Sequence, residues 1–453
     1  METECIQFEL GLQGGRSRKI VVRNDGAISS SDAGLVILSR IEKRRKWIKR
    51  LAGCFTDWRN QGLATYSLEG LLRQAVYGLT QGYEDLVDHD QWRHDPILAL
   101  ACGREPYREP GAGKSTLNRL ELEGDANHRY KKMAVDEQKL SRLLVEIFLE
   151  SCESEPAEIV LDFDSSDIPL HGGQEGRFFH GCYDEYCYLP LFCFCGQWPL
   201  LAQLRTADQD GASGTLEALQ WIIPLIRAKW PHTEIIIRAD SGFCRDAVLS
   251  WIERQQGVFY VVGLARNSRL EEEIDTQLVA MAVLCRLSGR SQRIFEELLW
   301  QTRESWSCER RVVAKAEALP GKINPRFVVT NLDQDSWSAR SLYEDLYCAR
   351  GDMENRIKGH ECPEHQLQLF SLRTSCHQMK ANQLRLWLST FAYLFFVELR
   401  SAVWKDREAS RWEAATIRLR VLKVAATVTV STRRIVIQLP RSHLWWEWFK
   451  TAV

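Results

Sequence analysis

At 453 residues the chain has room for two or three domains, and 45% apolar with 26% charged residues excludes a disordered or low-complexity protein. A net charge of −1 gives no global signature of nucleic-acid binding, but the charge is uneven: Lys43–Arg50 carries six basic residues in eight, and residues 401–453 hold ten Lys/Arg against four Asp/Glu. The fourteen cysteines are scattered without a C-x-x-C pair, some inside apolar runs (Cys187, Cys193, Cys195). With no signal peptide to be read at the N-terminus, that usage points to reduced thiols in a cytoplasmic protein.

Residues 1–33 read as strand and loop around Ile20–Val22, and three-four apolar spacing predicts helices from Ala33 to about residue 150. The clearest are SLEGLLRQAVYGLTQGYEDL and SRLLVEIFLES. Within this block EPGAGKSTLNRLE (109–121) contains GKST, but a phosphate-cradling loop needs a glycine where Arg108 stands, and no apolar strand leads into it. No nucleotide site is expected there. Strands are then predicted near 158–164, 186–196, 198–206 and 235–239, with helices at 214–228 and 244–255 and a further strand at Val258–Gly263. Alternation of this kind predicts a mixed sheet covered by helices, an α/β fold. Phe295–Thr302, Ser307–Leu319 and Arg326–Thr330 alternate as strands around a GKINP turn. Their tryptophans, Trp300 and Trp306, are read as sheet packing, with stacking on an unpaired base as the functional alternative. Leu384–Val397, the most apolar helix, is shorter than a membrane span and contains Arg385, so a core helix and no membrane partner are expected.

Two strings carry the chemistry. IIIRADSGF is a buried strand that delivers Asp240 at its C-terminal end, followed by small Ser241 and Gly242; ligands of α/β sheets bind outside such strand ends. EIVLDFDSSD is a second strand ending in Asp164. Asp162 shares its face, because side chains alternate along a strand, and is the rival for the same role; Asp164 lies nearer the strand end. YEDLYCARGDMENRIK (343–358) has helical period and puts Tyr347, Arg350, Glu354 and Lys358 on one face. Carboxylates from two strands and a helix suit hard Mg²⁺, and two such ions about 4 Å apart can hold the attacking and leaving oxygens of a phosphodiester.

These residues resemble the DDE transposases of bacterial insertion sequences, in particular the thirteen-eighty insertion-sequence family, the piggyBac-related branch with a Tyr-Arg-Glu signature. The likeness runs from about residue 70 to about residue 400, through HGGQEGRFFHGCYDEYCYLPLFCFCG (171–196), LRTADQDGASGTLEAL (204–219), RADSGFCRDAVLSW (238–251), VVGLARNSRL (261–270) and YCARGDMENRIK (347–358). It implies an RNase-H-like catalytic core with a β-rich insertion, preceded by a mainly helical N-terminal region. The expected boundaries are 1–150 for a helical DNA-binding or dimerisation region, 151–265 for the first part of the core, 266–335 for the insertion, 336–400 for the glutamate helix and 401–453 for a basic C-terminal region. The 113 residues between Asp240 and Glu354 leave room for that insertion.

The resemblance implies cleavage and strand transfer at the ends of an insertion sequence, with Asp164, Asp240 and Glu354 as catalytic metal ligands for two Mg²⁺ ions, Mn²⁺ being a substitute. Tyr347, Arg350, Lys358, Arg238 and Arg266 are the expected DNA contacts, Arg offering a planar fork to phosphate and Lys a point charge. The partners are double-stranded DNA (terminal inverted repeats and target) and a second copy of the chain; the location is the bacterial cytoplasm, at the nucleoid when acting. The alternatives are a domesticated, non-catalytic DNA-binding protein and a structure-specific nuclease of the same fold. The chain departs from the family at HECPEH (360–365), where His360, Cys362, His365 and Cys376 have an irregular zinc-like spacing best read as a loop insertion.

Overall fold

The computed structural model of the chain describes residues 7–10, 20–23, 27–181, 183–351 and 374–453. At its centre is a mixed sheet of nine strands. Its members are β1 (Glu158–Ser165), β2 (Leu191–Cys195), β3 (Trp198–Gln203), β4 (Glu234–Ala239), β5 (Val258–Leu264), β6 (Gln292–Trp300), β7 (Arg310–Leu319) and β8 (Arg326–Thr330), with Lys322–Ile323 added beside β7. The order is β3-β2-β1-β4-β5-β8-β7-β6. β1 to β3 form an antiparallel meander, whereas β4 and β5 run parallel to β1.

The isoleucines of β4 explain its central place: Ile235, Ile236 and Ile237 are buried on alternate faces, so both sides of the strand are covered. One face of β1, β4 and β5 packs on α3 (Glu137–Ser151), α4 (Thr215–Lys229) and α5 (Asp246–Glu253) through Leu161, Phe163, Ile237 and Tyr260. On the other face a helical segment, Ala339–Arg350, covers β4, β5, β7 and β8 through Leu342, Tyr343 and Leu346. Beside it, α6 (Met379–Glu398) covers β2, where Tyr393 meets Phe194 edge-on at 6.3 Å. α6 also blunts the free edge of β3, since Gln383 accepts from the Leu204 amide at 2.6 Å and donates to Ala202 O at 3.1 Å.

Three expectations change. The strand read at 186–196 is broken at Pro190, which has no amide hydrogen for a ladder: Glu185–Tyr188 leaves the main sheet for a small one, and β2 begins at Leu191. The segment 266–335 is not purely β-rich, since it holds helices at Ser268–Glu273 and Asp275–Ser288. Its strands also continue the main sheet, β8 pairing with β5 (Val262 opposite Val329); β7 is buried on both faces from Val312 to Ala318, with Val312, Ala314, Ala316 and Ala318 on one and Val313 beside the paired Lys315 and Glu317 on the other, as suits an inner strand. Finally, α6 runs on to Val403, giving 25 residues long and apolar enough to cross a membrane; yet 83% of its most apolar window is buried inside the protein, consistent with a core helix.

The N-terminal region is built from short helices such as α1 (Leu68–Gln81), which is opened by the Ser67 side chain accepting from Gly70 N and closed by Gly82 in the left-handed region (φ 91°). It shares one core with the C-terminal residues. Ser29–Ser30 pairs with Ala426–Thr427, Lys423 meets the buried Asp32 at 2.9 Å, and Gly34 lies so close to Leu422 that a Cβ would stand 2.3 Å from its Cα. Within the basic run Lys43–Arg50, Arg44 and Arg45 both pair with Glu398, which is fully buried, and Arg50 bridges Glu146 and Glu150, while Lys43, Lys46 and Lys49 are exposed.

Candidate active site

β1 and β4 are adjacent and parallel, in a register that sets Arg238 opposite Asp162 and Ala239 opposite Phe163. The next position on each strand is Asp164 and Asp240. The two residues therefore leave the same end of the sheet from neighbouring strands, whose backbones lie about 4.8 Å apart. Asp164 is buried, while Asp240 is half-buried where the strand gives way to a single 3₁₀ turn (Ser241–Phe243) and takes the Gly242 amide at 2.7 Å.

Asp162 and Asp164 meet different partners. Asp162 accepts two hydrogen bonds from the Arg238 guanidinium, at 2.5 and 2.8 Å, and both side chains are buried. The remaining arm of Arg238 donates to Leu346 O at 2.6 Å. This clamp locks β1 to β4 and fastens the Ala339–Arg350 segment to both. Arg238, expected as a DNA contact, is thus placed inside, because a carboxylate 76 residues earlier in the chain faces it across the strand pair.

The clamped segment is not a regular helix. Leu342–Tyr347 widens into a π turn, and Cys348–Arg350 tightens to 3₁₀. π turns are rare and concentrate at functional sites. Tyr347 and Arg350 both reach the rim. A Cβ on Gly263 would lie 2.6 Å from the Tyr347 hydroxyl and 2.8 Å from Ser241 N, so the absence of a side chain there lets the phenol tuck in beside Asp240. Burial raises the Tyr347 phenol above its ordinary pKa; the Asp240 charge adds to this and Arg350 opposes it. Arg350 Nη1 stands 3.8 Å from Asp164 Oδ1. Arg266 is exposed just beyond the end of β5, on the same rim. Glu354 and Lys358 lie outside the described residues, as do His360, Cys362 and His365. Cys376 is turned toward Glu121 Oε2 at 3.5 Å, and burial pushes its thiol up to about 11. Among the described residues no group of three His, Cys, Asp or Glu side chains is placed to hold a metal ion.

Two further residues build the rim. Arg205 is buried and donates to Leu189 O, Gly211 O, Ser213 O and Ser165 Oγ, folding the 204–213 loop onto the end of β1; burial lowers its pKa to about 10. Burial, then the charges of Asp167, Asp164 and Asp240, push the Tyr183 phenol up to about 12. Their only sequence signal was membership of the quoted blocks 204–219 and 171–196. Trp300 and Trp306 are buried, with Arg269 over the first ring at 4.6 Å and Arg310 over the second at 5.1 Å, so sheet packing is their role. The GKST segment opens α2 (Lys114–Glu121), preceded by irregular chain; Asp90 takes the Lys114 amide at 2.9 Å and its ammonium at 3.3 Å, filling the place a phosphate would need.

A family profile described as "Transposase DDE domain group 1" matches residues 12–453, and the chain belongs to that family, whose general activity is DNA transposition. Among solved structures, the chain is similar to the piggyBac transposase in a cryo-EM synaptic complex with hairpin DNA, at 12% identity and a TM-score of 0.40, over 85% of this chain and 79% of that one. Among curated proteins, none matches this chain in sequence.

Proposed function

We propose that this chain is the transposase of a bacterial insertion sequence of the thirteen-eighty family, cutting and joining DNA at the element's ends on an RNase-H-like core. The observation that carries this reading is the delivery of Asp164 and Asp240 side by side from adjacent parallel strands. Glu354, three residues beyond Gly351 where the described segment pauses, completes the set. Such a donor set fits a hard divalent cation, Mg²⁺ or Mn²⁺, since every donor is a carboxylate oxygen and Asp164 is buried at the rim. When bound, a pair of such ions would activate water at the scissile phosphate and stabilise the leaving oxygen.

The chain's own residues hold this arrangement. The Asp162–Arg238 clamp fixes the spacing of β1 and β4 and the seat of the segment leading to Glu354. Arg350 steadies Asp164 and faces incoming phosphate. Tyr347 fills the gap beside Asp240, while Arg266 and Lys358 present cations to the DNA backbone, and a second copy of the chain supplies the other end of a paired complex. No covalent protein–DNA intermediate is required. The test is a labelled duplex carrying the DNA that flanks this reading frame, incubated with purified protein and Mg²⁺. Cleavage by the wild type and its loss in Asp164→Asn, Asp240→Asn and Glu354→Gln, with binding retained, is the expected result. Near-wild-type cleavage by any of the three removes that residue from the set.

A further inference from the structure

The helix Asp275–Ser288 is apolar on two sides. Leu278, Met281 and Cys285 are buried with Ala314, Ala316 and Ala318 of β7, on the face of the sheet opposite the Ala339–Arg350 segment. The side away from the sheet should then be polar, as on an ordinary surface helix. It is not. Val279, Val283 and Leu287 follow one another at one-turn spacing and are 56%, 52% and 80% exposed, with Thr276 and Ala280 exposed beside them. Ile294 of β6, paired with Ala316 and so on the same face of the sheet, is exposed as well, and β6 is the open edge of that sheet. Single exposed apolar residues need no explanation, but a continuous stripe of them along a helix marks a contact surface.

Charges at the two ends of the stripe identify its occupant. Asp275 and Arg286 lie on one flank of it, because eleven steps along a helix return to within about 20° of the same direction. Both are exposed, and neither has an ion-pair partner among the described residues. When a helix meets its own copy antiparallel about a two-fold axis, the same flank of each faces the other with the ends exchanged. An axis at the level of Ala280 and Met281 sets Val279 against the second copy's Val283, and Asp275 against the second copy's Arg286; symmetry makes each pairing twice. A parallel arrangement would set like charge against like. Nucleic acid would need a cationic face, whereas this one is apolar with its flanking charges balanced.

We infer that the Asp275–Ser288 helix is a self-complementary interface that joins two copies of the chain antiparallel across a two-fold axis. The contact falls in the 266–335 segment and not in the 1–150 region where dimerisation was expected. Its use in holding paired DNA ends rests on the transposase reading above; the contact itself does not.

Sedimentation of the full chain without DNA, over a concentration series, tests the contact. Asp275→Arg and Arg286→Asp are each expected to weaken dimerisation by about tenfold, since each turns two attractive pairs into repulsive ones. Combining the two restores both pairs with their signs exchanged, and the double variant is expected to recover the wild-type constant. Val283→Glu puts a carboxylate into the apolar seam from each copy and is expected to leave the chain monomeric where the wild type is dimeric. All three side chains are exposed in the single chain, so melting curves should not move. A wild type that is monomeric throughout, variants that associate like the wild type, or a double reversal no better than either single one would each overturn the inference. Cleavage of flanking DNA by the wild type beside unaltered association in the variants removes the interface alone. A chain that pairs through this helix yet leaves that DNA uncut keeps the interface and removes the transposase reading.

Discussion

Replacing Asp162 by Asn separates the two aspartates of β1 by the kind of damage each should do. Asp162 and Arg238 form a two-bond ion pair whose side chains are 2% and 9% exposed. Removing the charge of one partner leaves the other buried and uncompensated, a loss of about 3–5 kcal/mol for a pair of this burial. Asn keeps the size and one acceptor, which puts the expected loss near the lower figure. At roughly 2 °C of melting midpoint per kcal/mol for a large chain, that is a drop of about 6 °C. Asp164→Asn should shift the midpoint less, because Arg350 stands 3.8 Å from Asp164 instead of forming a two-bond pair with it. Differential scanning fluorimetry paired with the cleavage assay reads both effects. Asp162→Asn should melt early and retain some cleavage below its midpoint; Asp164→Asn should melt closer to the wild type and not cleave. The reverse pattern, a thermally intact Asp162→Asn without activity beside an active Asp164→Asn, would refute the assignment.

Gly263→Ala puts a methyl group 2.6 Å from the Tyr347 hydroxyl, so cleavage should fall while Gly263→Ala combined with Tyr347→Phe recovers part of it; no recovery in the double variant would mean the clash is with Ser241 N instead. Lys114→Ala should leave nucleotide titration calorimetry flat, as in the wild type, because Asp90 already fills the start of α2; micromolar ATP binding lost in the variant would make the chain a nucleotide-dependent machine. His89 is buried with its Nδ1 3.1 Å from Gln74 Nε2, and burial lowers its pKa from 6.5 to about 4 against the opposing charge of Asp90. A base depressed in the folded state stabilises fully above its unfolded pKa and loses that contribution as pH falls, so stability should decline by up to about 3 kcal/mol between pH 6.5 and 4. In His89→Gln that part of the urea-midpoint slope should disappear, and an unchanged slope would place the acid sensitivity elsewhere.

Much of the site could be read from local pattern. Apolar runs that end in Asp, as in β1 and β4, announce both the strands and the rim at which they stop. What local pattern could not decide was pairing at a distance. Asp162 and Asp164 share a face by period, and only the register with Arg238 shows that one of them is already committed. The six cations of Lys43–Arg50 show in the sequence only as uneven charge, and Glu398, more than 350 residues away, is seen in the fold to take two of them. The break at Pro190 was visible in the sequence as a missing donor, yet an otherwise continuous apolar run hid it. The π turn at Leu342–Tyr347 has no compositional signature, since its seat is set by Arg238 and the sheet beneath it.

The shared core of the two chain ends also bears on the order in which the protein can be assembled. Trp47 and Leu51, near the start, are buried in the same cluster as Trp412, Ile417, Leu422 and Val428. During synthesis the central sheet can close once residue 330 is available, but the early helices must wait about another hundred residues for the strand and turns that cover them, and long-range closure of this kind is slow. Until then their apolar faces stay open to solvent or to chaperones. Completion of the helical part is thus tied to the last stretch of translation, and a nascent or truncated chain that stops before residue 412 holds a formed sheet beside an unsealed core.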